Sequence, residues 1–173
     1  RHGESEANKA NRIGQPNTKL TETGMEQAHQ TGKKLTRSGI KIIVCSEAVR
    51  ARQTAEIIAG ELGIPLANIK AMPELNERRM GKLEGSIKDH EPIWYYTQDG
   101  PEFEPRVKLL ERAHKALEKI AQLSKEGLVL VVGHAASGFY LLQAVKGVKE
   151  VQDIASAAKQ IPNASYLEVE IHD

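Results

Sequence analysis

The sequence has a single cysteine, no excess of charge of either sign and no long hydrophobic run, and each absence excludes something. Cys45 has no partner for an internal disulfide, so the fold must rest on a packed core, which 173 residues can supply as one domain without covalent staples. One cysteine is compatible with a reducing compartment, and a cytoplasmic location is the expectation. The 24 Lys and Arg stand against 23 Asp and Glu, a formal net charge of +1, so no global field draws the chain to nucleic acid. Any affinity for phosphate has to be local. No apolar run is long enough to cross a bilayer, and nothing at the start reads as a signal peptide. The abrupt opening on Arg1-His2-Gly3 is compatible with a strand preceding Arg1.

What is there alternates between helix-type and strand-type segments, which predicts an α/β fold: a three-layer αβα sandwich with a mostly parallel central sheet, one domain over residues 1–173. Thr23-Gly24-Met25-Glu26 has the spacing of a capping box, opening a helix that keeps Met25, Ala28 and Leu35 on one face and stops at Gly39. Residues 41–45 read as a buried strand. A second helix over 48–62 turns Thr54, Ile57, Ile58 and Leu62 inward and ends at Gly63. Pro105 suits a helix start, with Val107, Leu110, Ala113, Leu117 and Ile120 at helical spacing after it. Residues 128–132, Leu-Val-Leu-Val-Val, have the continuous apolar character of a central parallel strand, and 166–171 read as the last strand. Residues 84–104, with Trp94, Tyr95 and Tyr96, show no clean period. They read as an irregular excursion over the rim of the sheet where ligands bind, with the three aromatics capping the core beneath it and substrate contact as the alternative.

The chemistry-bearing residues recur at strand ends. Arg1 and His2 open the chain, Arg50 follows the strand 41–45 near the start of a helix, and His134 follows the strand 128–132. Strand C-termini in open α/β sheets converge on one edge, so two guanidiniums and two imidazoles are expected in one pocket. A guanidinium grips phosphoryl oxygens with a fixed charge, and a neutral imidazole can attack phosphorus. No metal or other cofactor is required for that. Glu77 is the candidate proton donor, with Glu74 and Glu84 as nearby carboxylates, and Asn8 is a candidate uncharged donor to the phosphate. Arg52, Arg78 and Arg79 read as surface or supporting charges, and His29, His90, His114 and His172 as surface residues.

Arg1-His2-Gly3-Glu4-Ser5 with Asn8, Leu20-Thr21 with Gly24 and Gln27-Ala28, Ser46 with Arg50-Ala51 and Gln53-Thr54-Ala55, Leu75-Asn76-Glu77 with Gly81 and Glu84-Gly85, and Val131-Val132-Gly133-His134 occur in that order across nearly the whole chain. Together with Asn163-Ala164-Ser165 they resemble the histidine phosphatase superfamily in its phosphoglycerate-mutase-like branch. The resemblance implies that His2 is phosphorylated in the reaction, that Arg1, Arg50 and His134 hold the phosphoryl group, and that Glu77 is the acid and then the base. The implied substrate is a small-molecule phosphomonoester, with a phosphoprotein as the alternative; no nucleic acid or membrane partner is implied, and no feature specifies an oligomeric state.

The chain departs from the mutase pattern. Asn11-Arg12-Ile13 is followed by Gly14-Gln15-Pro16 where mutases carry a Ser/Thr-Gly pair, and the short chain has little material for the closed lid that protects a phosphohistidine from water. His134 is followed by Ala135-Ala136, without the glycine that often comes next in the family. Hydrolysis is therefore expected over phosphotransfer. Two rivals are a non-catalytic phosphate-recognition module and a cysteine phosphatase built on Cys45. The second needs five residues between thiolate and arginine, whereas Arg50 and Arg52 leave four and six.

Overall fold

β-Branched runs set the sheet, and small residues let helices approach it closely. In the computed structural model, which describes residues 1–151 and 161–170, three parallel strands lie in the order β2-β1-β3: β1 Ile40–Cys45, β2 Ile69–Ala71 and β3 Leu128–Val132. Ile43 pairs with Ile69 on one side and Leu130 on the other, and Cys45 with Ala71 and Val132, so the three strands finish level at one edge. That common edge is where the site is built.

Helices cover both faces, as the expected sandwich requires. Ile43 and Cys45 point to one face, where Ala51, Ala55, Ile58 and Ala59 of α3 (Val49–Leu62) pack on them. The alternate residues Ile42 and Val44 meet Ala116 and Ile120 of α5 (Arg106–Ser124) on the other. Period two along the strand and period 3.6 along the helices give this division. α2 (Glu22–Leu35) lies outside α3, and α6 (Ala135–Val145) beside α5. Short helical turns α1 (Glu6–Lys9) and α4 (Trp94–Thr97) belong to the rim. Gly63 ends α3 with φ of 67°, its N–H returning to the Ala59 and Gly60 carbonyls, a left-handed cap suited to glycine.

Several sequence expectations are corrected. The cap of α2 is Thr21, whose hydroxyl accepts from Gly24 N–H at 3.0 Å, and not Thr23; Met25 lies 37 % exposed, off the packed face. The inward face of α5 runs through Leu109, Leu110, Ala113, Ala116 and Ile120, and Val107, one turn too early, is exposed. β3 is an edge strand among the described residues rather than a central one. Residues 166–170 form no strand, and Ile171 and His172 lie outside the described residues. Together with residues 128–131, Tyr166, Leu167 and Val169 line an apolar cleft of about 330 Å³. β2 escaped the sequence reading because three residues are too few to show a period.

Candidate active site

The opening motif is tied into the sheet edge from several directions. His2 N–H donates to Gly133 O at 3.0 Å, just past the end of β3, and Ala164 N–H donates to His2 O at 3.1 Å. The opening motif passes so close to Gly24 that a Cβ on Gly3 would collide with the Gly24 backbone and one on Gly24 with the Glu4 backbone, which is why both positions lack a side chain. Asn163 closes the arrangement, its Nδ2 reaching the carbonyls of His2 and Gly3 and Oδ1 of Asn8 at 3.1–3.2 Å. Arg50, second residue of α3, is 4 % exposed and donates through Nη1 to Gln15 O at 2.7 Å and through Nε to His2 Nε2 at 3.1 Å. The His2 and His134 rings stand edge to face with centroids 5.0 Å apart. Arg1, His2, Arg50 and His134 thus meet at one edge of the sheet.

The hydrogen bonds fix the state of His2. Its Nδ1 lies 2.7 Å from Gly3 O, a group that only accepts, so Nδ1 carries the proton and Nε2 keeps the lone pair that Arg50 Nε–H contacts. Burial, and then the charges of His134, Arg50 and Arg1, push its pKa well below the usual imidazole range. His134 is lowered in the same way, by burial first and by Arg50 next among the charges. Its Nε2 meets Ser46 Oγ at 2.6 Å, and Ser46 in turn accepts from Ala48 N–H. Two buried nitrogens at this edge, His134 Nδ1 and Arg1 Nε, have no hydrogen-bond partner among the described residues. Buried polar atoms are rarely left so, and a site for an oxyanion is one reason they would be.

Glu77 stands at the N-terminus of α6. Its Oε1 accepts from Arg78 N–H and Ser137 N–H, both at 2.9 Å, and its Oε2 from Ala135 N–H and Ala136 N–H at 3.1 and 3.2 Å. The carboxylate therefore caps the helix that His134 begins, and electrostatically it belongs with the site: its charge acts on both Arg1 and Arg50. Glu74 turns away to Lys119 at 2.6 Å, and Glu84 accepts from Met80 N–H. Asn8 is held through Oδ1, which takes Ser5 N–H, the Ser5 hydroxyl and Asn163 Nδ2, leaving its own Nδ2 without a protein partner among the described residues.

Sequence reasoning missed Lys88 and Arg112, read Tyr96 first as a cap on the core, and left Arg78 between surface and support. Lys88, half-buried, has its pKa lowered by burial and by the charges of Arg1 and Arg50, with Glu77 opposing. Tyr96 is 5 % exposed, with Arg1 and Glu77 the charges that act on its phenol. Arg78, read as a surface or supporting charge, is 3 % exposed and holds the excursion: it donates to Tyr95 O, Gln98 O and Glu104 O and to the Asp99 carboxylate at 2.7–2.9 Å. Arg112 of α5 meets Glu104 through two bonds and reaches the carbonyls of Glu74 and Glu77, joining the excursion to the loop that bears Glu77. Cys45 is fully buried and its thiol is pushed up by that burial, the wrong environment for a nucleophilic thiolate.

The family model of the histidine phosphatase superfamily (branch 1) matches residues 1–173. The chain belongs to that superfamily. It is 33 % identical over 160 residues to the "Probable phosphoglycerate mutase GpmB" of Erwinia tasmaniensis and 35 % identical to that of Escherichia fergusonii, in each case over 86 % of this chain and 73 % of the relative. Among solved structures, Bacillus stearothermophilus YhfR superposes with a TM-score of 0.80 at 28 % identity, over 95 % of this chain and 85 % of that one. A mycobacterial glucosyl-3-phosphoglycerate phosphatase shares the fold, with a TM-score of 0.81 at 23 % identity over the same shares. Among the described residues no helix is long and apolar enough to cross a membrane.

Proposed function

We propose that this chain is a phosphomonoester hydrolase working through a phosphohistidine on His2. The observation that carries the reading is the lone pair of His2 Nε2, fixed by the Gly3 carbonyl at the opposite ring nitrogen, beside buried donors on Arg1 and His134 that no group among the described residues satisfies. A phosphoryl group bound there gives those donors their partners, with Asn8 Nδ2 as a further, uncharged one. His2 Nε2 attacks phosphorus as the ester P–O bond breaks, and Glu77 delivers a proton to the departing oxygen. Water then attacks the phosphohistidine, Glu77 takes its proton, and the P–N bond breaks to return neutral His2 and inorganic phosphate. The guanidiniums of Arg1 and Arg50 supply the positive charge that the equatorial oxygens require.

Hydrolysis is favoured over phosphotransfer because Gly14-Gln15-Pro16 stands where the resemblance leads one to expect the Ser/Thr-Gly pair of the mutases. The phosphotransferase reading is favoured by the names of the curated relatives and by Lys88, a cation coupled to Arg1, Arg50 and Glu77 and suited to a second anionic group on the substrate. Small-molecule phosphomonoesters are the substrates this reading assigns. A panel of phosphorylated metabolites, with 3-phosphoglycerate among them, separates the readings by product: release of inorganic phosphate with the free alcohol supports the hydrolase, and isomerised phosphoglycerate without phosphate release would overturn it.

A further inference from the structure

Ser46 and His134 stand side by side because their strands do. Ser46 N–H donates to Val132 O at 3.1 Å, carrying the ladder of β1 and β3 one residue past Cys45, and His134 follows Val132 across Gly133. There Ser46 Oγ lies 2.6 Å from His134 Nε2, with Ser46 0 % and His134 1 % exposed. At that burial each proton of the pair needs a partner other than bulk water.

The number of protons gives the direction of the bond. Ser46 Oγ has two contacts among the described residues: Ala48 N–H, which only donates, and His134 Nε2. The hydroxyl proton therefore has one acceptor in reach, the lone pair of Nε2, and the proton of a neutral His134 is on Nδ1. The reverse assignment, with Nε2–H donating to Ser46, leaves the hydroxyl proton without an acceptor and Nδ1 as a buried lone pair without a donor. It strands two groups where the first strands one. That one is the Nδ1–H, which has no partner among the described residues. His2 puts the same tautomer to the opposite use: its Nδ1–H is bonded to the Gly3 carbonyl at 2.7 Å, and its Nε2 keeps the lone pair. The ring centroids are 5.0 Å apart, so a nucleophilic nitrogen and an unbonded N–H belong to neighbouring rings.

We propose that Ser46 is a positioning residue: its hydroxyl donates to His134 Nε2 and so holds the proton on Nδ1, making His134 a neutral donor to a phosphoryl oxygen. The inference rests on the phosphomonoester hydrolase reading for its ligand. A phosphoryl oxyanion accepts strongly, so the other tautomer would lose that bond and set a lone pair against negative charge. Burial, and then the charge of Arg50, push the pKa of His134 well below the usual imidazole range, so the ring is neutral and its one proton has to be on the right nitrogen.

The test reads the ring of His134 by ¹⁵N NMR of histidine-labelled protein at neutral pH, together with vanadate affinity and denaturant unfolding. The wild type should show a protonated Nδ1 and a bare Nε2, a result that needs no variant. In Ser46→Ala the ring should shift to the Nε2–H tautomer or to a mixture, and vanadate should bind about tenfold more weakly. Because Ser46 acts through His134, adding Ser46→Ala to His134→Ala should change vanadate affinity by less than about twofold. A wild-type His134 with its proton on Nε2, or Ser46→Ala with unaltered ring signals and unaltered affinity, overturns the proposal while leaving hydrolysis standing. A loss of affinity as large in the His134→Ala background, or a fall in stability and affinity with the ring signals unchanged, gives Ser46 a structural role only and overturns it too. A wild type that carries the Nδ1 proton yet neither binds vanadate nor hydrolyses an aryl phosphate removes the hydrolase reading, and this proposal with it.

Discussion

The inner end of the pocket and its outer wall are built by different means. The inner end, Arg1, His2, Arg50 and His134, stands on the level ends of β1 and β3: Arg50 and His134 follow those strands within a few residues, and His2 is tied to Gly133 just past β3. The wall, residues 84–104, has little regular structure, and its hold comes from side chains reaching backbone carbonyls: Arg78 to Tyr95, Gln98 and Glu104, and Arg112 to Glu74 and Glu77. Positions set by a sheet edge are stiff without help. Positions set by two buried guanidiniums are stiff only while those cations stay, so the wall is the part of the pocket that can change without disturbing the phosphate end.

Glu77 belongs to both regions, and replacing it should have the largest effect. Gln offers one acceptor oxygen where the carboxylate offers two, so in Glu77→Gln an amide N–H₂ must face two of the N–H groups of Arg78, Ala135, Ala136 and Ser137. We expect a loss of about 1–3 kcal/mol of stability from the unsatisfied donors, read by denaturant unfolding. Turnover of an alkyl phosphate should fall about 10²–10⁴-fold, whereas an aryl phosphate, whose phenol barely needs a proton, should still give a burst and then stall with phosphoenzyme accumulated. Equal losses on both substrate types, without a burst, would remove Glu77 from the acid role.

Arg78→Met cuts the wall loose and leaves the inner end alone. The substitution strips the carbonyls of Tyr95, Gln98 and Glu104 of their donor, and should raise KM for alkyl phosphates about tenfold while vanadate affinity changes by less than about twofold. If vanadate binding fell as far as KM rose, the two regions would not be separable.

A smaller effect concerns pH. The pKa of His2 and of His134 is lowered in the folded chain, so below the ordinary imidazole pKa the unfolded chain binds protons that the folded one refuses. Stability is thus fully present above about pH 6.5 and is lost as pH falls, by up to about 1.4 kcal/mol per pH unit for each of the two. Thermal unfolding between pH 7.5 and 5.5 should show the fall, and His134→Asn should lessen the slope; a flat profile in the wild type would mean that the imidazoles accept protons where they lie.

The same division explains how much the sequence made legible. Arg1, His2, Arg50, Glu77 and His134 were found because each carries its chemistry beside a local signal: an apolar run that ends, a helix that starts, or a short motif in fixed order. Asn163, which clasps His2 from the far end of the chain, is 161 residues away in sequence and has no local pattern that would announce the clasp. Arg78 looked like any arginine in a charged loop, since nothing in Glu77-Arg78-Arg79 tells which of the two arginines is buried under the wall. The supposed strand over 166–171 had the composition of a strand, but pairing depends on a neighbour, and composition does not show one.

The central claim is that His2 carries the phosphoryl group between the two half-reactions. Brief incubation of the wild type with a ³²P-labelled aryl phosphate, followed by denaturing quench and separation, should leave label on the protein that survives alkali, is released by acid, and maps to His2. It should be absent from His2→Ala. Label that appears in His2→Ala, or that is stable to acid, or full hydrolysis with no protein-bound phosphate at any time, would contradict the account.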